Sequence, residues 1–346
     1  MVDYLELYNG IKVPTYAYGT YLTDKSEFGC INCVKTAIQS GIRHIDCAYV
    51  YGNQELVGDA IKQSIEEGIV KRTDLFITSK VPENQYGYLN TKRIIQDSLD
   101  VMNLNYFDMF LLHSPYRTSK EWKRWIEDSW CALEEQYEAG ILKSIGVSNF
   151  NIKHLEYLLS IAKIKPMINQ LEIHPQHQQR KLIEFCQKNK IAISCWGALN
   201  QGRIFKNENF LRLANKYNKD ASQIAIKWSL NKGFIPIVTS TKKERIENLY
   251  KINDFEITNE DMKSLDNLDG GEFSNWHTEN EKPIEMVDPS KLIEYIKSIN
   301  IPPDSTYIYK LFSIFPFLKV KVYGNYKKKY LLFGIPILKI TKKRIK

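Results

Sequence analysis

The feature that most constrains the fold is a regular alternation of short apolar strand patterns with amphipathic helical patterns. Eight strand patterns occur between residues 13 and 238, and each is followed by a helical pattern. The predicted strands are Val13–Gly19, 42–46, 74–80, 107–112, 142–147, 166–170, 191–196 and 234–238. Eight such units predict a parallel (β/α)8 barrel, an α/β fold, rather than an open sheet. We expect this barrel to occupy residues 1–280, and a small basic C-terminal extension to occupy residues 281–346.

Polar and ionisable residues occur where three of the predicted strands end. Asp46 ends one strand, and Tyr51 follows it in the loop before a helix; Lys80 and His113 end the next two strands. The carboxyl ends of parallel strands meet at one end of a barrel, where binding and catalysis collect. Taken one at a time, such residues are more often helix caps, surface charges or structural hydrogen-bonding groups. The ordered set of four indicates a catalytic site.

The four residues suit acid–base chemistry. An isolated phenol holds its proton until pH ~10. To act as a general acid near neutral pH, Tyr51 needs a cationic neighbour that favours the phenolate. Lys80 is the candidate for that cation.

The sequence motifs around these residues resemble those of the aldo-keto reductases. They read Asp46-Cys-Ala-Tyr-Val-Tyr-Gly-Asn53, Ile77-Thr-Ser-Lys80 and Leu111-Leu-His-Ser-Pro115. The resemblance covers about residues 5–275. Within the family, the chain is similar in particular to diketogluconate-reductase-like members. It implies a catalytic tetrad of Asp, Tyr, Lys and His. The implied activity is the NAD(P)H-dependent reduction of an aldehyde or ketone to an alcohol.

In the reaction that the resemblance implies, Tyr51 donates a proton to the carbonyl oxygen as hydride reaches the carbonyl carbon. Lys80, held by Asp46, lowers the pKa of the phenol, and His113 orients the carbonyl as a neutral donor. Loss of a tetrad residue would have favoured the alternative, a non-catalytic cofactor-binding scaffold protein. All four residues are present.

The resemblance also implies a nicotinamide-binding set. In the family a Ser, an Asn and a Gln hydrogen-bond the carboxamide, and an aromatic side chain stacks on the ring. The words Ile145-Gly-Val-Ser148-Asn149, Ile168-Asn-Gln170 and Ser194-Cys-Trp196-Gly-Ala-Leu199 carry that pattern, although Ala198 and Asn200 depart from it. The expected cofactor contacts in this part of the site are Gly19, Thr20, Tyr21, Asp46, Ser148, Asn149, Gln170, Trp196, Gly197 and Leu199.

The segment expected to bind the adenosine phosphate departs further from the family. Thr239 stands where the family has a lysine that contacts the 2′-phosphate, and Arg245 keeps the second cationic contact. The remaining expected contacts are Ser240, Asn248 and Leu249. One cation in place of two weakens the charge-assisted bonds to a phosphate. NADPH is the expected cofactor, and NADH or dual use stays open.

Six apolar or aromatic residues are the candidates for the substrate wall. They are Tyr21, Tyr49, Val50, Pro82, Tyr116 and Trp276. Such walls suit small aldehydes, ketones or sugar-derived carbonyls, because pyranose faces also pack on aromatic rings. The physiological substrate and the direction of the reaction stay open.

The charge is distributed unevenly along the 346 residues. The net charge is +8, but residues 301–346 contain ten Lys and one Arg against the single acid Asp304. The barrel region is therefore close to neutral. The extension contains two short predicted strand patterns, and its word Leu332–Ile340 is similar to C-terminal segments of some bacterial surface-glycan glycosyltransferases. That similarity implies a polysaccharide-assembly context.

Three interpretations of the basic extension at residues 301–346 stay open: a solvated segment, contact with an anionic membrane surface, or contact with a partner enzyme. Nucleic-acid binding is disfavoured because no recognition fold accompanies the charge. The sequence leaves the oligomeric state open.

The sequence predicts a cytoplasmic protein. No signal peptide is visible in Met1–Gly10, and no apolar run reaches the ~18 residues of a membrane span. The six cysteines are scattered, which is typical of reduced core thiols. Cys30 and Cys33 form a lone C-x-x-C that we interpret as core packing, and no metal site is expected.

Overall fold

The computed structural model describes residues 3–26, 28–115, 121–249 and 251–271, and three strands near the C-terminus. The chain divides into two compact units, Met1–Ile284 and Glu285–Lys346. Each unit is described by itself below.

The first unit is built on a closed barrel of eight parallel strands. They are β3 (Ala17–Gly19), β4 (His44–Asp46), β5 (Phe76–Val81), β6 (Met109–Leu112), β7 (Ile145–Ser148), β8 (Ile168–Glu172), β9 (Ala192–Trp196) and β10 (Ile235–Val238). Each pairs with the next, and β10 closes the barrel by pairing with β3. The register places Gly19 opposite Asp46, and Asp46 opposite Thr78. The predicted (β/α)8 barrel is confirmed.

Helices follow the barrel strands in the predicted order. They are α1 (Cys30–Gln39), α2 (Gln54–Glu66), α3 (Tyr88–Met102), α4 (Trp122–Glu138), α5 (Ile152–Ile161), α6 (Arg180–Lys188), α7 (Glu208–Tyr217), α8 (Ala221–Asn231), α9 (Lys243–Leu249) and α10 (Asn259–Asp266). Each buries an apolar face; in α1 that face includes Cys33, Val34 and Ile38. The wide apolar stripe is what fixes a helix against a sheet.

The C-x-x-C pair lies in this core. Cys30 and Cys33 are both buried on α1, and Thr23 Oγ1 donates a hydrogen bond to Cys30 Sγ at 3.1 Å. Burial raises the pKa of the Cys30 thiol to about 11, so the group stays protonated at neutral pH. These contacts are those of a packed core thiol.

The first predicted strand, Val13–Gly19, is in fact divided between two elements. β1 (Tyr4–Glu6) and β2 (Lys12–Pro14) form an antiparallel hairpin, and only Ala17–Gly19 joins the barrel. Pro14 ends β2, since proline cannot donate a ladder hydrogen bond. The hairpin turn lies at the amino-terminal end of the barrel, where Asn9 Nδ2 donates to the carbonyl of Lys143 just before β7. The hairpin is therefore opposite the strand ends that carry Asp46 and Lys80.

The second unit contains a three-stranded antiparallel sheet. Its strands are β11 (Leu318–Tyr323), β12 (Lys327–Leu332) and β13 (Ile335–Thr341), in that order. Across the described ranges of the chain, no helix is both long enough and apolar enough to cross a membrane.

Candidate active site

A cleft of about 870 Å³ opens at the carboxyl end of the barrel. Most of the residues proposed from the sequence line it: Gly19, Thr20, Tyr21, Asp46, Val50, Tyr51, His113, Ser148, Asn149, Gln170, Trp196, Gly197, Leu199 and Thr239. They come from at least seven of the eight strands or the loops that follow them. A closed barrel brings these distant segments to one end, which no local pattern can do.

Lys80 and Asp46 form a buried ion pair below the cleft. Lys80 Nζ lies 2.5 Å from Asp46 Oδ1 and also donates to the carbonyl of Cys47 at 2.9 Å. Both side chains are almost fully buried. Burial alone would lower the pKa of Lys80, but the Asp46 carboxylate outweighs burial and raises that pKa, so Lys80 remains an ammonium.

Tyr51 lies above this pair, in the short turn Tyr49–Tyr51 that follows β4. Lys80 Nζ is 5.3 Å from the centroid of the Tyr51 ring, and the His113 ring meets that ring edge-on at 5.8 Å between centroids. Gly52 ends the turn with a φ of 70°, a conformation that glycine adopts without strain. Asp46, Lys80 and His113 therefore meet around the phenol of Tyr51.

The pKa of Tyr51 differs from the sequence-based expectation. Burial raises the pKa of the phenol to about 12, and the Lys80 ammonium lowers it only in part. The expected direction of the lysine effect is present, but desolvation of the phenolate is the larger effect. Tyr51 is thus held as a proton donor throughout the neutral range.

A second polar network continues from the ion pair around the barrel. Gln170 Nε2 donates to Asp46 Oδ2 at 2.9 Å, and Ser148 Oγ donates to the backbone carbonyl of Gln170 at 2.9 Å. Asn149 Nδ2 donates to the backbone carbonyl of His113, and Asn149 Oδ1 accepts from the indole of Trp196 at 2.9 Å. Gln170 also lines the cleft; with Nε2 bonded to Asp46, the acceptor of its side chain is Oε1.

This part of the cleft fits a nicotinamide. Ser148, Asn149 and Gln170 present neutral donors and acceptors suited to a carboxamide, and Trp196 offers an aromatic face. A Cβ on Gly19 would lie 2.7 Å from Thr239 Oγ1, so only glycine allows β3 and the segment after β10 to come this close. The donor set and the aromatic face together favour a cofactor at this wall.

Some proposed residues do not line the cleft. Tyr49 packs against the hydrophobic core, and Pro82 is buried ahead of a short turn. Leu249 is buried on the inner face of α9 beside Ile246, whereas Arg245 and Asn248 are exposed on that helix. The carbonyl of Ser240 accepts a hydrogen bond from the Tyr18 hydroxyl at 2.5 Å. Tyr116 and Trp276 lie outside the described residues.

The cleft also has lining residues that the sequence did not single out. They are Leu22, Glu83, Ser114, Ala198, Gln201, Gly202, Ile237 and Val238. Glu83 and Ser114 follow Lys80 and His113 within three residues, so their proximity in sequence to these proposed tetrad residues was a signal that could have identified them. Within the described parts of the chain, no three His, Cys, Asp or Glu side chains are grouped to hold a metal ion.

Comparison with known proteins agrees with the fold. The pattern of the Aldo/keto reductase family matches residues 15–270. The glyoxal reductase of Bacillus subtilis (strain 168) is 38% identical over 270 residues, which cover 78% of this chain and 94% of that protein.

Solved structures show the same relationship. An aldo-keto reductase from a Medee basin deep-sea metagenome library superposes with a TM-score of 0.75 at 34% identity, covering 81% of this chain and 100% of that one. A Bombyx mori aldo-keto reductase in complex with NADP gives a TM-score of 0.74 at 28% identity, covering 81% and 99%. The fold and the site define an oxidoreductase built on a (β/α)8 barrel. The chain belongs to the aldo/keto reductase family.

Proposed function

We propose that the protein reduces an aldehyde or ketone to the alcohol with NADPH, and that Tyr51 is the proton donor. The observation that carries this proposal is the arrangement of Asp46, Tyr51, Lys80 and His113 about one cleft, with Lys80 Nζ 5.3 Å from the Tyr51 ring centroid. A reaction in which negative charge develops on one oxygen is best served by preorganised donors aimed at that oxygen.

Each tetrad residue has a separate task in this proposal. NADPH, when bound, supplies the hydride. Tyr51 transfers its phenolic proton to the carbonyl oxygen, and the Lys80 ammonium stabilises the phenolate that remains. Asp46 holds Lys80 in place and keeps it charged. His113, which also lines the cleft, donates a hydrogen bond to the carbonyl oxygen and orients the substrate.

Several observations support NADPH as the cofactor. The polar wall formed by Ser148, Asn149 and Gln170 suits a carboxamide, and the Bombyx mori relative was solved with NADP. Arg245 is exposed on α9, at the end of the barrel that carries Thr239. Thr239 supplies no charge, so a weaker preference for NADPH over NADH is part of the proposal.

For the substrate class, we propose small carbonyl compounds, including α-dicarbonyls. The Bacillus subtilis relative is a glyoxal reductase, and glyoxal is a small α-dicarbonyl. The described wall near Tyr51 is formed in part by Tyr21, whose ring lies 5.1 Å from that of Tyr51 between centroids, and by Val50. A mixed aromatic and apolar wall suits small carbonyls and sugar-derived compounds alike.

The decisive experiment measures NADPH and NADH oxidation over aldehydes, α-dicarbonyls, keto-sugars and sugar nucleotides, with wild type and Tyr51→Phe. We expect Tyr51→Phe to lower kcat by about 10²–10⁴-fold while the Kd for NADPH is unchanged, because only the transferred proton is removed. Near-normal turnover by this variant would show that Tyr51 is not the donor. Absence of turnover by wild type, with cofactor still bound, would favour the non-catalytic scaffold.

We further propose that the C-terminal extension is a separate domain that contacts an anionic lipid surface, and that the protein works in the cytoplasm. The register of the three-stranded sheet pairs Lys321 with Lys329, and Lys329 with Lys339, so the three lysines form one row across the sheet. A cationic row complements anionic headgroups. The sequence of segment Leu332–Ile340 implies a role in surface-glycan assembly, and that role is part of the same proposal.

Vesicle binding by the full chain tests the lipid proposal. We expect Lys321→Gln/Lys329→Gln/Lys339→Gln to lose binding to phosphatidylglycerol vesicles, while Lys62→Gln/Lys181→Gln/Lys188→Gln, three exposed barrel positions, retains it. Equal binding by the two variants would exclude the lysine row as the lipid contact. Absence of vesicle binding by the wild-type chain would exclude the lipid surface and leave a partner enzyme as the contact to look for.

A further inference from the structure

Glu83 places a carboxylate on the wall of the cleft close to the catalytic residues. It follows β5, the strand that carries Lys80, and it lines the cleft together with Tyr51, His113 and Ser114. The residue is partly exposed, so its charge is accessible to a bound substrate. Glu83 belongs neither to the proposed tetrad nor to the proposed nicotinamide-binding set, so neither of them assigns it a role.

Hydrogen bonds fix the short turn that carries Glu83, chiefly at its carboxyl end. The backbone amide of Gln85 donates to the carbonyl of Pro82 at 2.9 Å, and Arg93 donates to Gln85 Oε1 at 2.6 Å. Tyr86, which follows Gln85, is buried, and its hydroxyl donates a hydrogen bond to the backbone carbonyl of Ser114 at 2.5 Å. Because β5 leads into the turn and Tyr86 anchors its end, the backbone that carries the Glu83 side chain is held in place before a substrate arrives.

The formal charges on the described cleft wall are all negative. Among the lining residues that the structure describes, the two with formal charge are Asp46 and Glu83. The Asp46 carboxylate already accepts hydrogen bonds from Lys80 and Gln170. Within the described part of the chain, the Glu83 carboxylate has no hydrogen-bond donor or ion-pair partner. The described wall therefore presents one available negative charge and no positive charge to the substrate.

We propose that Glu83 determines substrate specificity: it accepts hydrogen bonds from hydroxyl groups next to the reacting carbonyl, and it repels substrates that carry a carboxylate or phosphate. This inference rests on the proposed carbonyl reductase activity and narrows its substrate to neutral hydroxylated aldehydes or ketones. Hydrogen bonds to a carboxylate are stronger than those to a neutral acceptor, and like charges in a cleft of reduced dielectric repel strongly. Tyr21 supplies an exposed aromatic face for the C–H side of such a substrate.

Three aldehydes separate these effects: propanal, which has neither hydroxyl nor charge; D-glyceraldehyde, which adds hydroxyls; and D-glyceraldehyde 3-phosphate, which adds an anion. For wild type we expect kcat/KM to be highest for D-glyceraldehyde. Glu83→Gln should raise kcat/KM for the phosphate compound by about tenfold. Glu83→Leu should lower it for D-glyceraldehyde by about tenfold. Neither change should alter kcat/KM for propanal more than about twofold.

Asp24→Asn is the matched control, because it removes one negative charge from the exposed loop after β3 without altering the described cleft wall. We expect its three kcat/KM values to equal those of wild type. A second measurement needs no variant: the wild-type kcat/KM for the phosphate compound should rise with salt, while that for D-glyceraldehyde stays constant.

The results distinguish this inference from the proposed function. If wild type reduces none of the three aldehydes and no other carbonyl compound, the proposed function and the inference both fail. If wild type reduces them but Glu83→Gln and Glu83→Leu keep the wild-type ratios, the assignment to Glu83 is overturned and the reductase activity stands. Equal wild-type kcat/KM values for D-glyceraldehyde and its 3-phosphate, independent of salt, overturn it as well.

Discussion

The indole nitrogen of Trp196 donates a hydrogen bond to Oδ1 of Asn149 at 2.9 Å, which joins the end of β9 to the residue just after β7. Asn149 has a φ of 62°, in the left-handed region, and its amide also donates to the carbonyl of His113. One asparagine thus holds the candidate nicotinamide-stacking aromatic and the backbone of the candidate carbonyl-orienting histidine. Asparagine suits this position because it tolerates the left-handed conformation and has both a donor and an acceptor.

Substitution of Asn149 separates the backbone requirement from the hydrogen bonds. Asn149→Gly keeps the left-handed backbone without strain, so we expect it to be more stable than Asn149→Ala by about 1 kcal/mol. Both variants should weaken NADPH binding to a similar extent, since both lose the bonds to Trp196 and His113. Urea unfolding and fluorescence titration measure the two effects. Equal free energies of unfolding for Asn149→Gly and Asn149→Ala would argue against a requirement for the left-handed backbone conformation at this position.

The Lys80–Asp46 pair makes a prediction about stability. Lys80→Met leaves a buried carboxylate without its cation, which we expect to cost about 3–5 kcal/mol in the free energy of unfolding and to eliminate turnover. Asp46→Asn added to Lys80→Met removes the unpaired charge and keeps an acceptor for Gln170. The double variant should recover much of the stability but none of the activity. A double variant no more stable than Lys80→Met would contradict this account.

The raised pKa of Tyr51 predicts different pH profiles for the two directions of the reaction. Below its pKa of about 12 the phenol is protonated, so carbonyl reduction should show no loss attributable to Tyr51 as pH rises through the neutral range. Alcohol oxidation needs the phenolate, so its rate should rise about tenfold per pH unit over that range. Initial rates in both directions measure this difference. A reduction rate that falls tenfold per unit above neutral pH would require a much lower pKa for the phenol.

Arg245 is expected to discriminate between the two nicotinamide cofactors. It is exposed on α9, and the sequence resemblance proposes it as the cation that contacts the 2′-phosphate. Arg245→Ala should raise KM for NADPH by about tenfold and leave KM for NADH unchanged, because only NADPH carries that phosphate. Lys243→Ala is the control, since the Lys243 ammonium lies 3.8 Å from Glu247 on the same helix. Equal effects on both cofactors would place the phosphate elsewhere.

The sequence alone was sufficient to predict the barrel and to expect that the four proposed tetrad residues lie at one end of it. Repeated strand and helix patterns identify a (β/α)8 fold because the hydrophobic period of each element is local. Asp46, Lys80 and His113 were recognisable because each lies within one residue of the end of a strand, and parallel strands end together. The split of Val13–Gly19 was missed, since apolar content by itself does not show which partner a short strand will pair with.

Tertiary structure decided the properties that depend on neighbours distant in sequence. The pKa of Tyr51 is set by burial against the Lys80 charge, and the balance between them depends on packing. The choice of Glu83 rather than Pro82 to line the cleft depends on the path of a three-residue turn. Likewise, helical phase buries Leu249 and exposes Arg245 on α9. Residue types and their order specify the chemistry available, whereas desolvation and orientation in the closed barrel decide which groups can perform it.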